Sequence, residues 1–261
     1  MKLATFAVAG SDTPQAGEVR GEEVVAFADG STVLDRLASG DRTPADGPAH
    51  PLGAVRLLAP VPAPRAIFGI GLNYAAHAAE TGQPVPEAPI VFLKLPSSSV
   101  PPNDDVAIPA VVRRLDYEGE LAVVIGAGGA VAGYAVADDL SARDLQKRER
   151  QWTRAKGFDN SCPWGPWITT ADEVADAGAL GLRTWVNGEL RQDSSTADLI
   201  FGVQHVVDFL AEAITLQPGD LILTGTPPGV GQAMDPPRFL ASGDRVRIEI
   251  EQLGAIEHGI A

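Results

Sequence analysis

The segment LDYEGELAVVIGAGGAVAGYAVADDLSARD, residues 115–144, decides how this chain is read. Its centre, Leu121 to Ala137, runs seventeen residues without a charge. That is the lower limit for a membrane-spanning helix, which takes about 20 apolar residues. Gly126, Gly128 and Gly129 interrupt the run, and Glu120 and Asp138 bound it. Glycine weakens a helix interior and is at home in a turn. The segment therefore reads as two buried strands folded back at the glycines, not as one helix.

Acids stand at both outer ends of this hairpin. Alternate side chains of a strand share a face, so Asp116, Glu118 and Glu120 point the same way. Three carboxylates on one face repel one another unless water or a cation lies among them. Asp138 and Asp139 close the second strand, which brings Asp139 toward Glu118 and Glu120 if the strands are neighbours. Ligands that are all carboxylates suit a hard cation such as Mg2+, Mn2+ or Ca2+ and disfavour zinc or copper. On these residues alone two plainer readings stay open. One is a solvated strand end at 116–120; the other is a helix N-cap at the second acidic pair, ahead of Ser141-Ala142-Arg143-Asp144.

Outward from the hairpin, short apolar runs alternate with turns. Residues 2–9, 22–28, 55–58, 67–71, 90–94, 221–223 and 246–250 read as strands. Asn187-Gly188, between Trp185-Val186 and Glu189-Leu190, signals a tight hairpin. Ser31 is placed to cap a short helix reading TVLDRLASG. Residues 198–216 read as the clearest helix: Leu199, Val203, Val206, Val207, Leu210 and Ile214 fall on one face, and Pro218-Gly219 ends it. Pro60, Pro62 and Pro64 mark a boundary between a small N-terminal domain, 1–60, and a larger C-terminal domain, 61–261. The fold class is mostly β with few helices (α+β).

The chain carries 34 acidic against 20 basic residues, a formal net charge of -14 over 261 residues. That balance opposes nonspecific nucleic-acid binding and attachment to anionic membranes. With 45% hydrophobic and 21% charged residues, the chain can form an ordinary packed core. A single Cys excludes an intramolecular disulfide and a cysteine-based zinc site, and fits a reducing, cytoplasmic location. Met1 to Gly10 lacks the pattern of a signal peptide.

Several side chains could carry chemistry. His77 and Glu80, in the helix-forming run AAHAAE, are three apart and share a helical face. A carboxylate beside an imidazole fixes its tautomer and supports a general base, although surface pairs have the same spacing. The chain has four Lys against sixteen Arg, so Lys94 (FLKLP) and Lys156 (RAKGF) stand out in their apolar settings. A Lys that merely covers apolar surface is the plainer reading. His50, His205 and His258 have less local support. The basic run Arg143 to Arg154 holds five cations with Asp144 and Glu149 and reads as a solvated helix or lid. Cys162 reads as structural. Gly69-Ile70-Gly71 falls short of a dinucleotide fingerprint, and TGTPPGVG at 224–231 lacks the Walker lysine.

Taken in order, the segments GIGLNYAAHAAETG, IVFLKLPSS, LDYEGELAVVIG, GYAVADDLSARDLQ, KGFDNSCPWGPW, WVNGELRQ and LTGTPPGVG resemble the fumarylacetoacetate hydrolase family. The resemblance implies a mixed β-sandwich roll, usually assembled as a homodimer. It implies a site for Mg2+ or Mn2+ (Ca2+ being acceptable) on Glu118, Glu120 and Asp139. It also implies a His77–Glu80 dyad, an active-site Lys156, and a mobile lid between Asp139 and Lys156. Asp116 has no role in it. Asn73 and Tyr74 stand where larger relatives carry a further metal aspartate, which implies three protein ligands here. Thr226, Gln146 and Lys94 are expected to face the substrate.

The implied activity is hydrolysis of a C–C bond in a 2,4-dioxo acid, as in bacterial acylpyruvases or fumarylpyruvate hydrolases. His77 would activate water, and Lys156 would stabilise or protonate the departing pyruvate enolate. A decarboxylase or keto–enol isomerase of oxaloacetate, or of a dioate such as 2-hydroxyhepta-2,4-diene-1,7-dioate, needs the same groups. A catalytically inactive metal or small-molecule binding protein is the alternative from another class. The expected partner is a small dicarboxylate or 2-oxo acid.

Overall fold

The computed structural model describes residues 1–11 and 13–261. Val131–Asp138 folds back on Gly119–Ile125 as an antiparallel pair, with Asp138 opposite Gly119. These strands lie in the middle of a 12-stranded sheet. In one direction the sheet continues through Cys162–Thr170, Lys2–Val8, Gln15–Arg20, Glu23–Ala26 and Ala49–Pro51. In the other it continues through Leu221–Leu223, Ile67–Gly71 and Ile90–Lys94. A four-stranded antiparallel sheet packs against it, in the order Glu189–Ser195, Gly181–Val186, Arg245–Ile250, Gly254–Gly259. The fold is mostly β, as the alternation of apolar runs and turns predicts.

Every residue of Gly119–Ile125 is buried. Leu121 joins the core between the two sheets, with Leu182, Ile248 and Ile256. Val123 and Ile125 share a second core with Val206, Val207 and Leu210 of the helix Val203–Ala211. Ala122 and Val124 belong to a third, with Leu3, Leu37 and Ile168. A strand covered on both faces has no need of polar alternation, which is why the run carries no charge. Each Leu, Ile or Val buried this way contributes about 1.5–3 kcal/mol. Among the described residues, no helix is long and apolar enough to cross a membrane. Lys2–Val8 pairs with Cys162–Thr170, so the first residues extend the same sheet as the rest of the chain.

Three local expectations are corrected, and two strands were not anticipated. The helix expected over 198–216 is confined to Val203–Ala211. Asn73 explains the loss at its start. Its Nδ2 donates to the Phe201 carbonyl at 2.9 Å and its Oδ1 accepts from the Phe201 N–H at 2.8 Å. Ile200 N–H donates to the Asn73 carbonyl at 2.8 Å, so this stretch finds its backbone partners without forming a helix. The first helix, Val33–Ser39, is capped by Thr32 in a reciprocal box with Asp35, not by Ser31, whose hydroxyl accepts from Arg36. The basic run is broken into Arg143–Arg148 and Thr153–Lys156. The strands Gln15–Arg20 and Cys162–Thr170 carry no readable alternation; the latter contains Pro163, Gly165 and Pro166.

Candidate active site

The acidic ends of the hairpin converge. Glu118, Glu120 and Asp139 are all buried, and each offers a carboxylate oxygen within 4.8 Å of the others. Position 119 must be glycine for this arrangement. A Cβ there would stand 2.4 Å from Thr184 Oγ1 and 3.1 Å from Gln192 Oε1, both on the second sheet. The strand can thus press against that sheet at 119 while the flanking glutamates turn the other way. The Gly119 N–H donates to Gln192 Oε1 at 3.0 Å. Gln192 Nε2 donates to Thr226 Oγ1 at 2.8 Å, and the Thr226 hydroxyl donates to the Gly119 carbonyl at 3.0 Å.

Three buried cations grip the acids. Lys156 Nζ donates to Glu118 Oε2 at 2.6 Å and to Asp139 Oδ2 at 2.7 Å. Lys94 Nζ donates to Asp139 Oδ1 at 2.6 Å and also to the Lys156 carbonyl. Arg143 donates from Nε to Asp116 Oδ2 at 2.9 Å and from Nη1 to Gln146 Oε1 at 3.1 Å. Its Nη2 lies 2.6 Å from Glu118 Oε1. Four carboxylates and three cations form one network, formally one charge negative. A divalent ion would leave it one charge positive, which suits an anionic ligand.

The protonation preferences follow from this pairing. Burial alone would raise the Glu118 carboxyl, but the Arg143 guanidinium and Lys156 ammonium hold it far below the usual carboxylate range. Burial would lower the Lys156 ammonium; Asp139 and Glu118 reverse that and raise it. Glu120 differs: burial, then the neighbouring Asp139 and Glu118 carboxylates, push it well above its ordinary value. Its Oε2 is held by the Gly225 N–H at 2.6 Å. The residues therefore fit a hard divalent cation: three converging carboxylates, one lacking the countercharge that burial demands.

His77 Nδ1 lies 2.7 Å from Glu80 Oε1, and Glu80 Oε2 accepts the Gly229 N–H at 2.8 Å. Gly229 has φ +109°, and a Cβ there would stand 2.0 Å from the Arg191 carbonyl oxygen, so no other residue fits. The TGTPPGVG loop thus positions carboxylates through its backbone. It holds Glu120 and Glu80 as described, and Gly231 N–H donates to Asp116 Oδ1 at 2.8 Å.

A cavity of about 810 Å³ opens over these groups. His77, Glu118, Lys156, Gln146 and Thr226 line it. Phe92 and Trp152, edge to face with centroids 5.6 Å apart, form part of its wall, as do Arg114 and Lys147. Glu80, Glu120 and Asp139 lie behind the wall. Lys94, expected to face substrate, is also behind it, fully buried against Asp139. His50 packs near Phe6, and His205 stacks on Phe201. Burial pushes the Cys162 thiol up to about 12, in keeping with a structural role.

Arg143 was missed as a site residue. It begins the run read as solvated, yet it is only 5% exposed. The available signal was the buried acidic cluster, which requires cations from nearby chain. Asp116, left outside the site, is the far anchor of the Arg143 fork.

A mostly β fold with a carboxylate cluster able to hold a divalent metal, and a His–Glu dyad beside it on a cavity wall, defines a class of small-molecule enzymes. Within that class the chain belongs to the fumarylacetoacetate hydrolase family: the model of the fumarylacetoacetate (FAA) hydrolase C-terminal domain matches residues 66–261. A mitochondrial oxaloacetate tautomerase of Xenopus laevis is 45% identical over 218 residues, 79% of this chain and 68% of the relative. Another, from Bos taurus, is 45% identical over 221 residues, 80% of this chain and 70% of the relative. The solved fumarylacetoacetate hydrolase of Exiguobacterium antarcticum superposes with TM-score 0.90 at 35% identity, covering 100% of this chain and 99% of that one. The 2-hydroxyhepta-2,4-diene-1,7-dioate isomerase of Mycobacterium marinum gives TM-score 0.84 at 35% identity, covering 100% and 98%.

Proposed function

We propose that this chain is a divalent-metal-dependent enzyme that moves a proton on an enolisable 2-oxo dicarboxylic acid, as a keto–enol tautomerase of the oxaloacetate type. The observation that carries the reading is the pairing, on one cavity wall, of His77, anchored from behind by Glu80, with Glu118 of the buried carboxylate cluster. The similarity to oxaloacetate tautomerases supports it.

Glu118, Glu120 and Asp139 would hold the metal, which would supply Lewis acidity toward the substrate's carboxylate and 2-oxo oxygens. Glu80 engages His77 Nδ1, which leaves Nε2 free to take the proton from the carbon beside the oxo group. Lys156 has three N–H donors and uses two on Glu118 and Asp139; the third can deliver a proton or a hydrogen bond to the substrate oxygen. Arg114 and Lys147 stand on the wall without an acidic partner among the described residues, and would meet a second carboxylate.

Hydrolysis of a 2,4-dioxo acid is the second reading, and cavity size favours it. A space of about 810 Å³ exceeds the needs of a four-carbon acid. There His77 Nε2 would take its proton from water. The deciding experiment follows the enol absorbance of oxaloacetate with Mn2+, alongside pyruvate release from acetylpyruvate and fumarylpyruvate. Accelerated keto–enol exchange without pyruvate or CO2 is expected. Exchange no faster than in buffer would sink the tautomerase reading, and pyruvate with acetate or fumarate would establish hydrolysis instead.

A further inference from the structure

We propose that His258 is a positioning residue for the carboxylate cluster, acting through Asp138; the inference rests on reading that cluster as a metal site. His258 lies on the strand Gly254–Gly259 of the smaller sheet, and Asp138 ends the strand Val131–Asp138 of the larger one. Both are fully buried, and neither lines the cavity. His258 Nε2 lies 2.9 Å from Asp138 Oδ2. Asp138 Oδ1 accepts the backbone N–H of Glu118 at 2.9 Å.

The consequence is geometric. The regular ladder between the central strands begins at Gly119 opposite Asp138, so Glu118 lies just beyond it. The Asp138 side chain supplies the partner that the ladder does not. The next residue completes a ring, because the Asp139 N–H donates to the Glu118 carbonyl at 2.9 Å. Two of the three clustered carboxylates, those of Glu118 and Asp139, therefore hang from backbone that one buried side chain locks. Among the described residues, only His258 donates to that side chain from the opposite sheet. Without it, Asp138 Oδ2 would be a buried acceptor with no partner, free to turn and release Glu118.

The pairing also fixes the imidazole tautomer. A carboxylate acceptor places the proton on Nε2, and His258 Nδ1, buried without a hydrogen-bond partner among the described residues, is then a bare acceptor. A core position between Ile256 and Ile260 would accommodate an apolar residue more readily than a half-satisfied histidine. Retaining the polar pair there is consistent with a positioning task, as outer hydrogen bonds orient carboxylate ligands in metal sites.

The test is Mn2+ calorimetry on wild type, His258→Leu and His258→Gln, with Ile256→Val as a packing control on the same strand. Metal-free melting and kcat at saturating Mn2+ are measured in parallel. His258→Leu is expected to weaken Mn2+ binding about 10- to 100-fold. His258→Gln, whose amide can still donate to Asp138, should recover most of that loss. Ile256→Val should lower stability without changing Mn2+ affinity, and saturating Mn2+ should restore kcat in His258→Leu. If His258→Leu does not fold, Asp138→Asn carries the test and must weaken Mn2+ binding about fivefold or more. Unchanged affinity in the folded His258→Leu, or failing that in Asp138→Asn, overturns the proposal. A wild type that binds no Mn2+ overturns the metal reading itself, a separate and recognisable failure.

Discussion

Gly119→Ala puts the contact between the sheets to a quantitative test. The added Cβ would stand 2.4 Å from Thr184 Oγ1 and 3.1 Å from both Gln192 Oε1 and Ile248 Cγ2. Nonbonded atoms settle at about 3.5 Å or beyond, so the closest contact must open by roughly 1 Å. Thr184 is fully buried and β-branched, which limits its escape. Overpacking of this kind costs about 1–3 kcal/mol. Removing a glycine returns about 0.4–1 kcal/mol by restricting the unfolded chain, leaving a net loss of about 1–2 kcal/mol. Thr184 Oγ1 has no hydrogen-bond partner among the described residues, so Thr184→Ala sacrifices no hydrogen bond and removes the worst clash. The double variant should therefore recover at least half of the loss, with a coupling energy of about 1 kcal/mol. Urea unfolding of the four proteins in the cycle measures the energies, and Mn2+ calorimetry shows whether Glu118 and Glu120 move with the strand. Stability within about 0.5 kcal/mol of wild type, or strict additivity in the cycle, would refute this account of why glycine stands between the two glutamates.

Other outcomes follow from the same geometry. Chelator-treated protein should melt lower than protein with Mn2+ at a hundred times its Kd, a difference of about 2.7 kcal/mol in stability. Glu120→Gln should lose that metal effect, yet in metal-free form melt at least as high as wild type, because it removes a carboxylate without a countercharge; differential scanning fluorimetry reads both. His77→Ala should lower kcat by about 10²- to 10⁴-fold while calorimetry finds Mn2+ affinity little changed. Arg114→Gln should raise KM for a dicarboxylate by up to about fivefold and leave KM for a 2-oxo monocarboxylate unchanged in steady-state assays. Cys162 should resist an aromatic disulfide reagent in native protein and react once guanidinium unfolds it, since burial pushes the thiol up to about 12.

The sequence made the hairpin and its acids legible because those signals are local. An uncharged run broken by glycines has few readings, and strand alternation places Glu118 and Glu120 together without knowledge of the rest of the fold. His77 and Glu80 were legible for the same reason, through helical spacing. Gln192 and Gly229 were not, since their roles depend on the second sheet and on a distant loop, 73 and 149 residues from the partners they hold. Arg143 and Lys94 were misread because a cation's burial depends on which carboxylates the tertiary fold delivers to it. The helix around Val206 was overextended because apolar periodicity continues through Leu199, whereas Asn73, distant in sequence, decides the backbone there.

Arg143 and Lys156 have different capacities, and this separates their tasks. The guanidinium donates from Nε to Asp116 and from Nη1 to Gln146, and its Nη2 stands 2.6 Å from Glu118 as an ion pair. Its rigid plane is fixed by two carboxylates, and rotating it would release one of them inside a buried site, at a cost of several kcal/mol. The ammonium of Lys156 spends two of its three hydrogens on Glu118 and Asp139 and stands on the cavity wall. Its third hydrogen can add a bond to a bound oxygen while both carboxylates stay in place. Lys94, on the far side of Asp139, holds that carboxylate against the pull of Lys156 and any cation between the acids. The acidic cluster is thus held from behind by Lys94 and from the cavity side by Arg143, while Lys156, bonded to both Glu118 and Asp139 on the cavity wall, keeps a hydrogen for a bound oxygen.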